Sequence, residues 1–308
     1  MKKLLVIGSI NMDIVSGVKQ FPLPGETIDS VSLSYFPGGK GANQAVAAAR
    51  SGANCYMIGA VGNDGFADTL NDELALSGVK VDHIVRKQGA SGIAIITVNA
   101  EGENNIVISK GSNNKLTSDD INKHVKWDDV YAVLLQNEIS WDTTKYVIEQ
   151  AKLASVAVWL NPAPAISIPQ TLWRNIDTFI MNETETSVIT GIEVDNVQSA
   201  LQAAMLLIAQ GVTRVIITLG EHGCVYADTQ GERYIIPAFK VNAVDTTAAG
   251  DTFIGAFAAA SIEGESVEQA LMYAVAASAL AVTKAGAQSS IPTRDEVLSF
   301  LKVKDYYN

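Results

Sequence analysis

The sequence predicts an α/β fold: a doubly wound, mostly parallel sheet flanked by helices, with a small β-sheet lid beside it. Three observations support this prediction. Short runs of aliphatic and β-branched residues recur, helical patterns lie between them, and two other segments alternate polar and apolar residues. Strands and helices that alternate along a chain favour right-handed βαβ units, which build one parallel sheet.

Six apolar runs are the candidate strands of the main sheet. They span residues 4–10, 55–61, 131–135, 156–160, 178–181 and 214–219, and the helical patterns between them span residues 43–50, 64–77, 141–153 and 197–210. Most of these runs are apolar throughout, which is typical of strands that helices cover on both faces. We therefore expect the main sheet to be buried.

Polar side chains follow four of these runs, at the edge where open α/β sheets bind ligands. They are Asn11 and Asp13, then Gln136, Asn137 and Glu138, then Asn161, and finally Asn182 and Glu183. Strands often end in polar turn residues without binding any ligand. Four such ends together favour a ligand site at this edge.

The lid is predicted from two regions, at about residues 12–37 and 90–110. Residues 30–35 alternate strictly in polarity, and residues 91–98 and 104–109 flank a candidate hairpin turn. A small sheet with one apolar face needs a cover, such as a ligand, a cleft or a second subunit.

The last third of the chain predicts two Ala-rich helices, at about residues 252–260 and 266–282, after a tight turn at 245–250. No repeat, low-complexity tract or linker interrupts the sequence. We therefore predict that residues 1–308 form a single domain, with the lid as an extension of it.

The composition excludes several classes of protein. The 308 residues include 22 basic and 33 acidic ones, a formal charge of −11, which disfavours binding to a nucleic-acid backbone. Cys55 and Cys224 predict free thiols in a reducing compartment, and His83, His124 and His222 are scattered and expected in loops or at the surface. The N-terminal apolar run is too short for a secretion signal, and no run approaches the ~20 residues that span a bilayer. We expect a cytoplasmic protein that binds neither nucleic acid nor membrane.

A glycine-rich stretch at residues 38–43 precedes the first helical pattern. It is not a Walker A loop, because Lys40 is followed by Gly41 rather than Ser or Thr. No GxGxxG follows a strand, so the dinucleotide-binding fingerprint is absent as well. Backbone amides at the start of a helix can bind a polar ligand. A plain glycine turn is the alternative.

A second candidate site lies at residues 244–253. Ala248, Ala249 and Gly250 are small, and they bring consecutive amides to the start of a helix, which is the geometry of an anion hole. Asp251 in the first turn is suited to accept a proton from a hydroxyl that attacks a bound phosphate. An acid that only stabilises the helix N-terminus is an equal alternative at this stage.

Six motifs together resemble the PfkB family of carbohydrate kinases, and its ribokinase branch in particular, from Leu4 to about Pro292. The motifs are GSINMD at 8–13, GGKGANQA at 38–45, NPAP at 161–164, NETE at 182–185, TLG at 218–220 and DTTAAGDTF at 245–253. They occur in the order of the family, and the second and last are long enough to be highly specific. The resemblance implies a ribokinase-like fold.

The resemblance also implies a sugar site and a catalytic centre. The sugar ligands would be Asn11, Asp13, Gly39, Lys40, Gly41, Ala42, Asn43, Glu138 and Asp251. Asp251 would be the general base, and the amides of Ala248, Ala249 and Gly250 would stabilise the γ-phosphate during transfer. Asn11 further favours ribose over deoxyribose, because a 2-hydroxyl requires a hydrogen-bond partner.

A nucleotide site and two metal sites are implied in the same way. ATP would contact Asn182, Thr218, Leu219, Gly220, Glu221, His222, Gly223, Gly250, Asp251 and Val275, with residues 287–292 near the adenine. Glu185 would organise magnesium through water, and potassium would be bound by Asp245, Thr247, Ala281, Lys284, Gly286 and Ser290, several of them through backbone carbonyls. Val275 departs from the Asn or His common in relatives, which puts the nucleotide preference in question.

The activity that the resemblance implies is ATP-dependent phosphorylation of D-ribose at the 5-hydroxyl, giving ribose 5-phosphate and ADP, in a homodimer joined through the lid. A kinase for another pentose, a ketose or a nucleoside, with deoxyribose and fructose as examples, stays open. A non-catalytic sugar sensor is a remote alternative, disfavoured because a binding module has no need of Asp251. The missing glycine fingerprint disfavours an NAD-linked oxidoreductase.

Overall fold

The structure is a computed structural model that describes residues 2–304, and the strands of this part of the chain form three sheets. In chain order the strands are β1 (Lys3–Ile7), β2 (Asn11–Gly17), β3 (Ser32–Gly38), β4 (Asn54–Ile58), β5 (Ala60–Val61), β6 (Val85–Arg86), β7 (Gly92–Val98), β8 (Asn104–Ser109), β9 (Val130–Leu135), β10 (Ala157–Leu160), β11 (Thr178–Asn182), β12 (Arg214–Thr218), β13 (Cys224–Asp228) and β14 (Arg233–Ile236).

The α-helices lie between these strands and after them. They are α1 (Lys40–Arg50), α2 (Ala67–Leu76), α3 (Ser118–His124), α4 (Trp141–Leu153), α5 (Glu183–Thr190), α6 (Val197–Ala209), α7 (Ala249–Glu263), α8 (Val267–Ala281) and α9 (Arg294–Val303). The four helical patterns and the two Ala-rich helices that the sequence predicts are confirmed, with bounds shifted by three residues or fewer at most ends.

The main sheet has eight strands in the order β14-β13-β12-β11-β10-β9-β1-β4. From β12 to β4 all neighbours are parallel, whereas β13 and β14 add an antiparallel pair at one edge. The mostly parallel, doubly wound sheet is thus confirmed. Sequence analysis did not predict this antiparallel pair. β13 is fully buried but includes the polar residues Tyr226 and Asp228, and β14 has only four residues.

Alternate residues of each central strand face two separate hydrophobic cores. On β1, Leu4 and Val6 pack with residues of α1, α7 and α8, while Leu5 and Ile7 pack with residues of α4 and α6. Neighbouring residues of a strand point to opposite faces, so a strand between two cores must be apolar at every position. This is the physical reason for the uninterrupted apolar runs in the sequence.

Two of the predicted strand ends are wrong. The run 4–10 gives a strand that stops at Ile7, and the run 55–61 divides into β4 and the short β5, which pairs with β6 in a separate sheet. Asn11 and Asp13 therefore do not end a strand of the main sheet but begin β2 of the lid. Gly8 to Ile10 carry the chain from one sheet to the other.

The lid is a four-stranded sheet in the order β3-β2-β7-β8. β2 and β7 are parallel, and the outer pairs β2–β3 and β7–β8 are antiparallel, so the predicted hairpin between residues 98 and 104 is confirmed. The register places Leu33, Ile95 and Val107 on one face and Asp13 on the other. The three apolar side chains are 54%, 51% and 66% exposed.

α7 packs against both α1 and α8, and the three helices share one hydrophobic core with the main sheet. A Cβ at Gly255 would lie 2.5 Å from both Ala47 Cβ and the Gln44 carbonyl oxygen, so glycine lets the backbones of α1 and α7 touch. Among the helices of residues 2–304, none has both the length and the apolar character needed to cross a membrane.

Candidate active site

The glycine stretch brings the start of α1 against the segment that follows β1. Gly39 has a φ of 92°, and α1 begins at the next residue. A Cβ on Gly41 would lie 2.6 Å from the Ser9 amide nitrogen, so only glycine permits this approach. The Ala42 amide donates to the Ser9 carbonyl oxygen at 2.9 Å. Residues 40–43 form the first turn of α1, and they face the beginning of the lid.

Asn11 and Asp13 lie on β2, where the lid meets the main sheet. Asn11 is buried, and its Oδ1 accepts a hydrogen bond from Asn113 Nδ2 at 2.7 Å. A Cβ at Gly38, on the neighbouring strand β3, would lie 2.2 Å from an Asp13 carboxylate oxygen. Gly38 therefore leaves the room that the Asp13 carboxylate occupies.

Glu138 follows β9 and approaches α1 from the main sheet. Its Oε2 accepts hydrogen bonds from Ser9 Oγ and, at 3.1 Å, from the Lys40 amide at the start of α1. Glu138 is buried, so these donors replace the water that would otherwise solvate the carboxylate. The helix N-terminus favours the negative charge as well.

Asp251 is the third residue of α7, beside the start of α1. Ala248, the N-cap residue, has a φ of 59°, and this left-handed conformation turns the chain into the helix. The Asp251 carboxylate is buried and accepts two side-chain hydrogen bonds, from Asn43 Nδ2 to Oδ2 at 3.0 Å and from Gln44 Nε2 to Oδ1 at 2.9 Å. The first-turn amides have no acceptor within an α-helix, so they can bind an anion there.

These carboxylates form one electrostatic cluster around Lys40. Burial, reinforced by the charges of Glu138 and Asp251, raises the pKa of Asp13 to about 7. The charges of Asp251, and to a lesser degree Glu138 and Glu185, raise the pKa of Lys40 despite its burial. The structure thus brings together acids from the lid, the main sheet and α7, with a single lysine among them.

Asn182 and Glu185 form a capping box at the start of α5. The Glu185 amide donates to Asn182 Oδ1 at 2.8 Å, and the Asn182 amide donates to Glu185 Oε2 at 3.1 Å. Asn161 Nδ2, at the end of β10, donates to the same Glu185 oxygen at 3.2 Å. Burial raises the pKa of Glu185, although hydrogen bonds and Lys40 oppose this effect. The Asn-x-x-Glu motif therefore has a structural role in addition to any contact with a ligand.

A cavity of about 1000 Å³ opens on the other side of the α7 N-terminus. Of the residues that sequence analysis assigned to the nucleotide, those lining this cavity are Thr218, Gly220, Glu221, His222, Gly223, Gly250 and Val275. Much of the remaining lining is apolar and comes from residues 237–241, Phe253 and Val282. A cavity with mostly apolar walls and a few polar groups is typical of a small-molecule site.

The other predicted nucleotide residues lie outside this lining. Asn182 caps α5, and Leu219 packs its side chain into the core, so its backbone alone can face a ligand. Residues 287–292 do not line the cavity either. The carbonyl oxygens of Gln288 and Ile291 each accept a hydrogen bond from Arg50 at 2.8 Å, which ties this segment to the end of α1.

The predicted potassium ligands lie on two adjoining turns. Asp245 Oδ1 accepts from the Thr247 amide and Oδ2 from the Gly286 amide, both at 2.9 Å. Although burial opposes the effect, these hydrogen bonds lower the pKa of Asp245. The Lys284 side chain pairs with Glu296 at 2.8 Å, so only its carbonyl is available to a cation. Ser290 and Ala281 are buried beside them.

The oxygen atoms of this donor set fit a hard monovalent cation. Within residues 2–304, no cluster of three or more His, Cys, Asp or Glu side chains is arranged to hold a metal ion by itself. A cation at the two turns would therefore need backbone carbonyls, in agreement with the ligands that the resemblance implies.

Sequence analysis left several residues that support the site without a role. Ser9, Gln44 and Asn113 were not singled out, and Gln136 and Asn161 were named only as polar residues that follow a strand; all five are buried. Most lie within or beside the recognised motifs, and a buried polar residue next to a motif is the signal that could have identified them. The rings of His83 and His124 lie 5.4 Å apart, which their positions in the sequence do not indicate.

The chain is similar to known proteins along almost its whole length. The model of a family described as pfkB family carbohydrate kinase matches residues 1–294. The chain is 42% identical to the ribokinase of Haemophilus influenzae, over 98% of this chain and 99% of that protein, and 37% identical to the deoxyribokinase of Salmonella typhi over the same shares. The structure is similar to that of Arabidopsis thaliana ribokinase complexed with ribose and ATP, with a TM-score of 0.91, 33% identity and coverage of 98% and 99%.

Proposed function

This chain belongs to the pfkB family of carbohydrate kinases, and we propose that it transfers the γ-phosphoryl group of ATP to the 5-hydroxyl of D-ribose, giving ribose 5-phosphate and ADP. The observation that carries this proposal is the position of Asp251. It lies in the first turn of α7, whose residues Ala249 and Gly250 line the cavity, and its charge acts on Asp13 of the carboxylate cluster. One acid thus adjoins both a polyol site and an anion site.

The sugar binds where its hydroxyls can replace the hydrogen bonds of the cluster. Asn11 and Asp13 approach from the lid, Glu138 from the main sheet, and Gly39 to Asn43 from the start of α1. Carboxylates and amides with fixed orientations are the groups that recognise a polyol, because each hydroxyl can both donate and accept. Closing of the lid over the sugar would exclude water from the reaction.

The transfer step uses Asp251 as the base. Its carboxylate accepts the proton of the 5-hydroxyl while that oxygen forms a bond to the γ-phosphorus. The bond from the γ-phosphorus to the bridging oxygen breaks, and ADP leaves with the electron pair. The amides of Ala248, Ala249 and Gly250 would donate to the oxygens of the transferring group, where the helix N-terminus also favours negative charge. The Ala249 amide would exchange its present acceptor, the Thr246 carbonyl oxygen at 3.2 Å, for the phosphoryl group.

Two metal ions belong to the proposal. Glu185 would hold Mg²⁺ through water, and Mg²⁺ supplies positive charge to the phosphates of ATP when bound. Potassium would be bound by Asp245, the carbonyls of the turn at 281–286 and Ser290, beside the anion hole. The ionised Asp245 carboxylate and the shortage of other charges on these turns support a monovalent cation.

The base assignment is tested by the substitution Asp251→Asn. General base catalysis contributes ~10²–10⁴-fold, so kcat should fall by about that factor. Ribose binding, measured by calorimetry, should persist, because the amide occupies the same space and several other groups hold the sugar. A variant with the kcat of the wild type in an ADP-release assay would contradict the proposal.

The identity of the sugar is tested by a panel of ribose, deoxyribose, fructose and nucleosides in the same assay. We expect the highest kcat/KM for ribose, because Asn11 provides a buried amide that a 2-hydroxyl can satisfy. Because the chain is similar to a deoxyribokinase, deoxyribose is the alternative substrate that this panel must exclude. Binding of a sugar without any ADP release would instead favour the sensor.

The assembly and the location complete the proposal. A homodimer joined through the lids would cover the exposed apolar face that contains Leu33, Ile95 and Val107.

A single domain over residues 1–308 with the lid as its extension stays part of the prediction. A cytoplasmic location fits a consumer of ATP with two unpaired buried cysteines.

A further inference from the structure

A buried chain of side-chain amides runs beneath the proposed sugar and phosphate sites. At its centre is Gln44 of α1, which is fully buried. Its Nε2 donates to Asp251 Oδ1 at 2.9 Å and to Asn161 Oδ1 at 3.2 Å, while its Oε1 accepts from Gln136 Nε2 at 2.6 Å. Both donors and the acceptor of the amide are used. Turning the amide over would set its oxygen against two other acceptors, so its orientation is fixed.

Asn161 extends this chain to the nucleotide side. Its Nδ2 donates to Glu185 Oε2 at 3.2 Å and to the Ile180 carbonyl oxygen at 2.9 Å. The chain therefore ends at two carboxylates, Asp251 on α7 and Glu185 on α5, each of which only accepts when ionised. Two amides connect the proposed base with the residue proposed to organise Mg²⁺.

The close packing of α1 against α7 sets the distance between Gln44 and Asp251. Gly255 lies one turn after Asp251 on α7, and it lets the backbone of α7 touch α1 at Gln44 and Ala47. Both ends of the bond from Gln44 to Asp251 thus belong to helices in direct contact. A bond between two such elements holds a side chain more rigidly than a bond from a loop.

Asn43, which binds the other Asp251 oxygen, differs from Gln44 in two ways. Its Oδ1 has no hydrogen-bond partner, whereas the Gln44 amide is held at both ends. Asn43 is also a proposed sugar ligand, so its amide would be shared between the sugar and Asp251. Gln44 is the neighbour whose bond to the base does not depend on the sugar.

We propose that Gln44 is a positioning residue for phosphoryl transfer: it orients the Asp251 carboxylate toward the sugar hydroxyl and, through Asn161, links that orientation to Glu185. The inference rests on the proposed function, in which Asp251 is the base. Misplacing a reacting group by about 1 Å can cost ~10²-fold in rate. Loss of the Gln44 amide should therefore lower kcat without weakening sugar binding, because Gln44 lies beneath the proposed sugar ligands.

The test is the substitution Gln44→Met, which keeps the length of the side chain and removes the amide. We expect kcat to fall ~10–100-fold, with KM for ribose within about twofold of the wild type. Thr143→Val is the matched control, since it also removes a buried hydrogen bond, from Thr143 Oγ1 on α4 to the Leu116 carbonyl oxygen. That control should keep the wild-type kcat. Thermal unfolding of each variant establishes that it is folded.

A second variant tests the link to Glu185 and remains informative if Gln44→Met does not fold. Asn161→Leu should lower kcat by a similar factor, because it breaks the bond to Glu185 and leaves one Gln44 proton unpaired. The double variant should lose less than the product of the two single losses, since both remove the same bond. Independent, multiplicative losses would overturn the link.

The possible outcomes separate this inference from the proposed function. An active Asp251→Asn enzyme overturns the proposed function itself. An inactive Asp251→Asn enzyme together with a Gln44→Met enzyme of wild-type kcat overturns only the role of Gln44. A raised KM at unchanged kcat in Gln44→Met also overturns it, because the residue would then act in sugar binding.

Discussion

Asp13 is a proposed sugar ligand whose burial lowers the free energy of unfolding of the protein at neutral and higher pH. Its carboxylate is largely buried beside Glu138 and Asp251, and its pKa is raised to about 7 from the ordinary value of 3.8. Between these two pH values the folded protein binds a proton more tightly than the unfolded chain does. The contribution of Asp13 to the free energy of unfolding is therefore fully present at low pH and is lost as the pH rises through 7.

The substitution Asp13→Asn removes this penalty. At pH 8 we expect the free energy of unfolding without sugar to rise by ~2–4 kcal/mol, and at pH 4 to change little, because the native carboxyl is then already neutral. Thermal unfolding at both pH values measures the difference. Asp29→Asn, at an exposed position, is the control and should show no such pH dependence. A loss of stability at pH 8 in Asp13→Asn would contradict the raised pKa.

At the scale of elements, the turns at 245–247 and 281–286 link the cation site to two helices. Asp245 joins the two turns through the Gly286 amide, and Arg50 at the end of α1 binds the carbonyls of Gln288 and Ile291 just beyond them. α1 begins at the proposed sugar loop and ends at this segment. A cation bound at these turns would therefore act on the helix that begins with the proposed sugar ligands.

Potassium should consequently activate the enzyme. We expect a rate at saturating ATP that is about 10-fold higher in potassium chloride than in tetramethylammonium chloride, which is ~1.4 kcal/mol in the barrier. Asp245→Asn should lose most of this activation. Asp195→Asn, which changes an acid that lines the cavity and lies outside these two turns, should keep it. Equal rates of the wild type in both salts would contradict the cation site.

The elements also show what the sequence could predict and what it could not. β1, β9 and β12 were predictable because a strand between two cores is apolar at every position. The end of β1 was not, because Ile10 continues the apolar run although the chain has already left the sheet. The connection of Gln44 to Asp251 and Asn161 was also out of reach, since spacing in sequence carries no information on which helices touch.

At the scale of the whole molecule, the lid has an apolar face that the described residues leave exposed. Its three apolar side chains Leu33, Ile95 and Val107 come from β3, β7 and β8, and β8 is exposed along its whole length. A small sheet of this kind gains stability when a second copy covers it. The proposed dimer would therefore also steady the strand that holds Asn11 and Asp13.

Light scattering tests this assembly. The wild type should have twice the 32.7 kDa mass of the chain, and Val107→Lys should shift the protein to the monomer by placing a charge in the apolar contact. Val188→Lys is the control, because Val188 is similarly exposed, at 56%, but lies on α5. A monomeric wild type at micromolar concentration would contradict the dimer.

The contact at Gly255 limits how this enzyme can be engineered or can evolve toward another sugar. α1 holds the sugar loop at its start and touches the helix of the base in its middle. A substitution that moves α1 to enlarge the pocket would also move Gln44 relative to Asp251, so a new specificity gained there would reduce turnover. β2 carries the proposed sugar ligands Asn11 and Asp13 and is not part of this helix contact. Libraries that vary the lid should therefore yield fast enzymes with altered preference more often than libraries that vary α1.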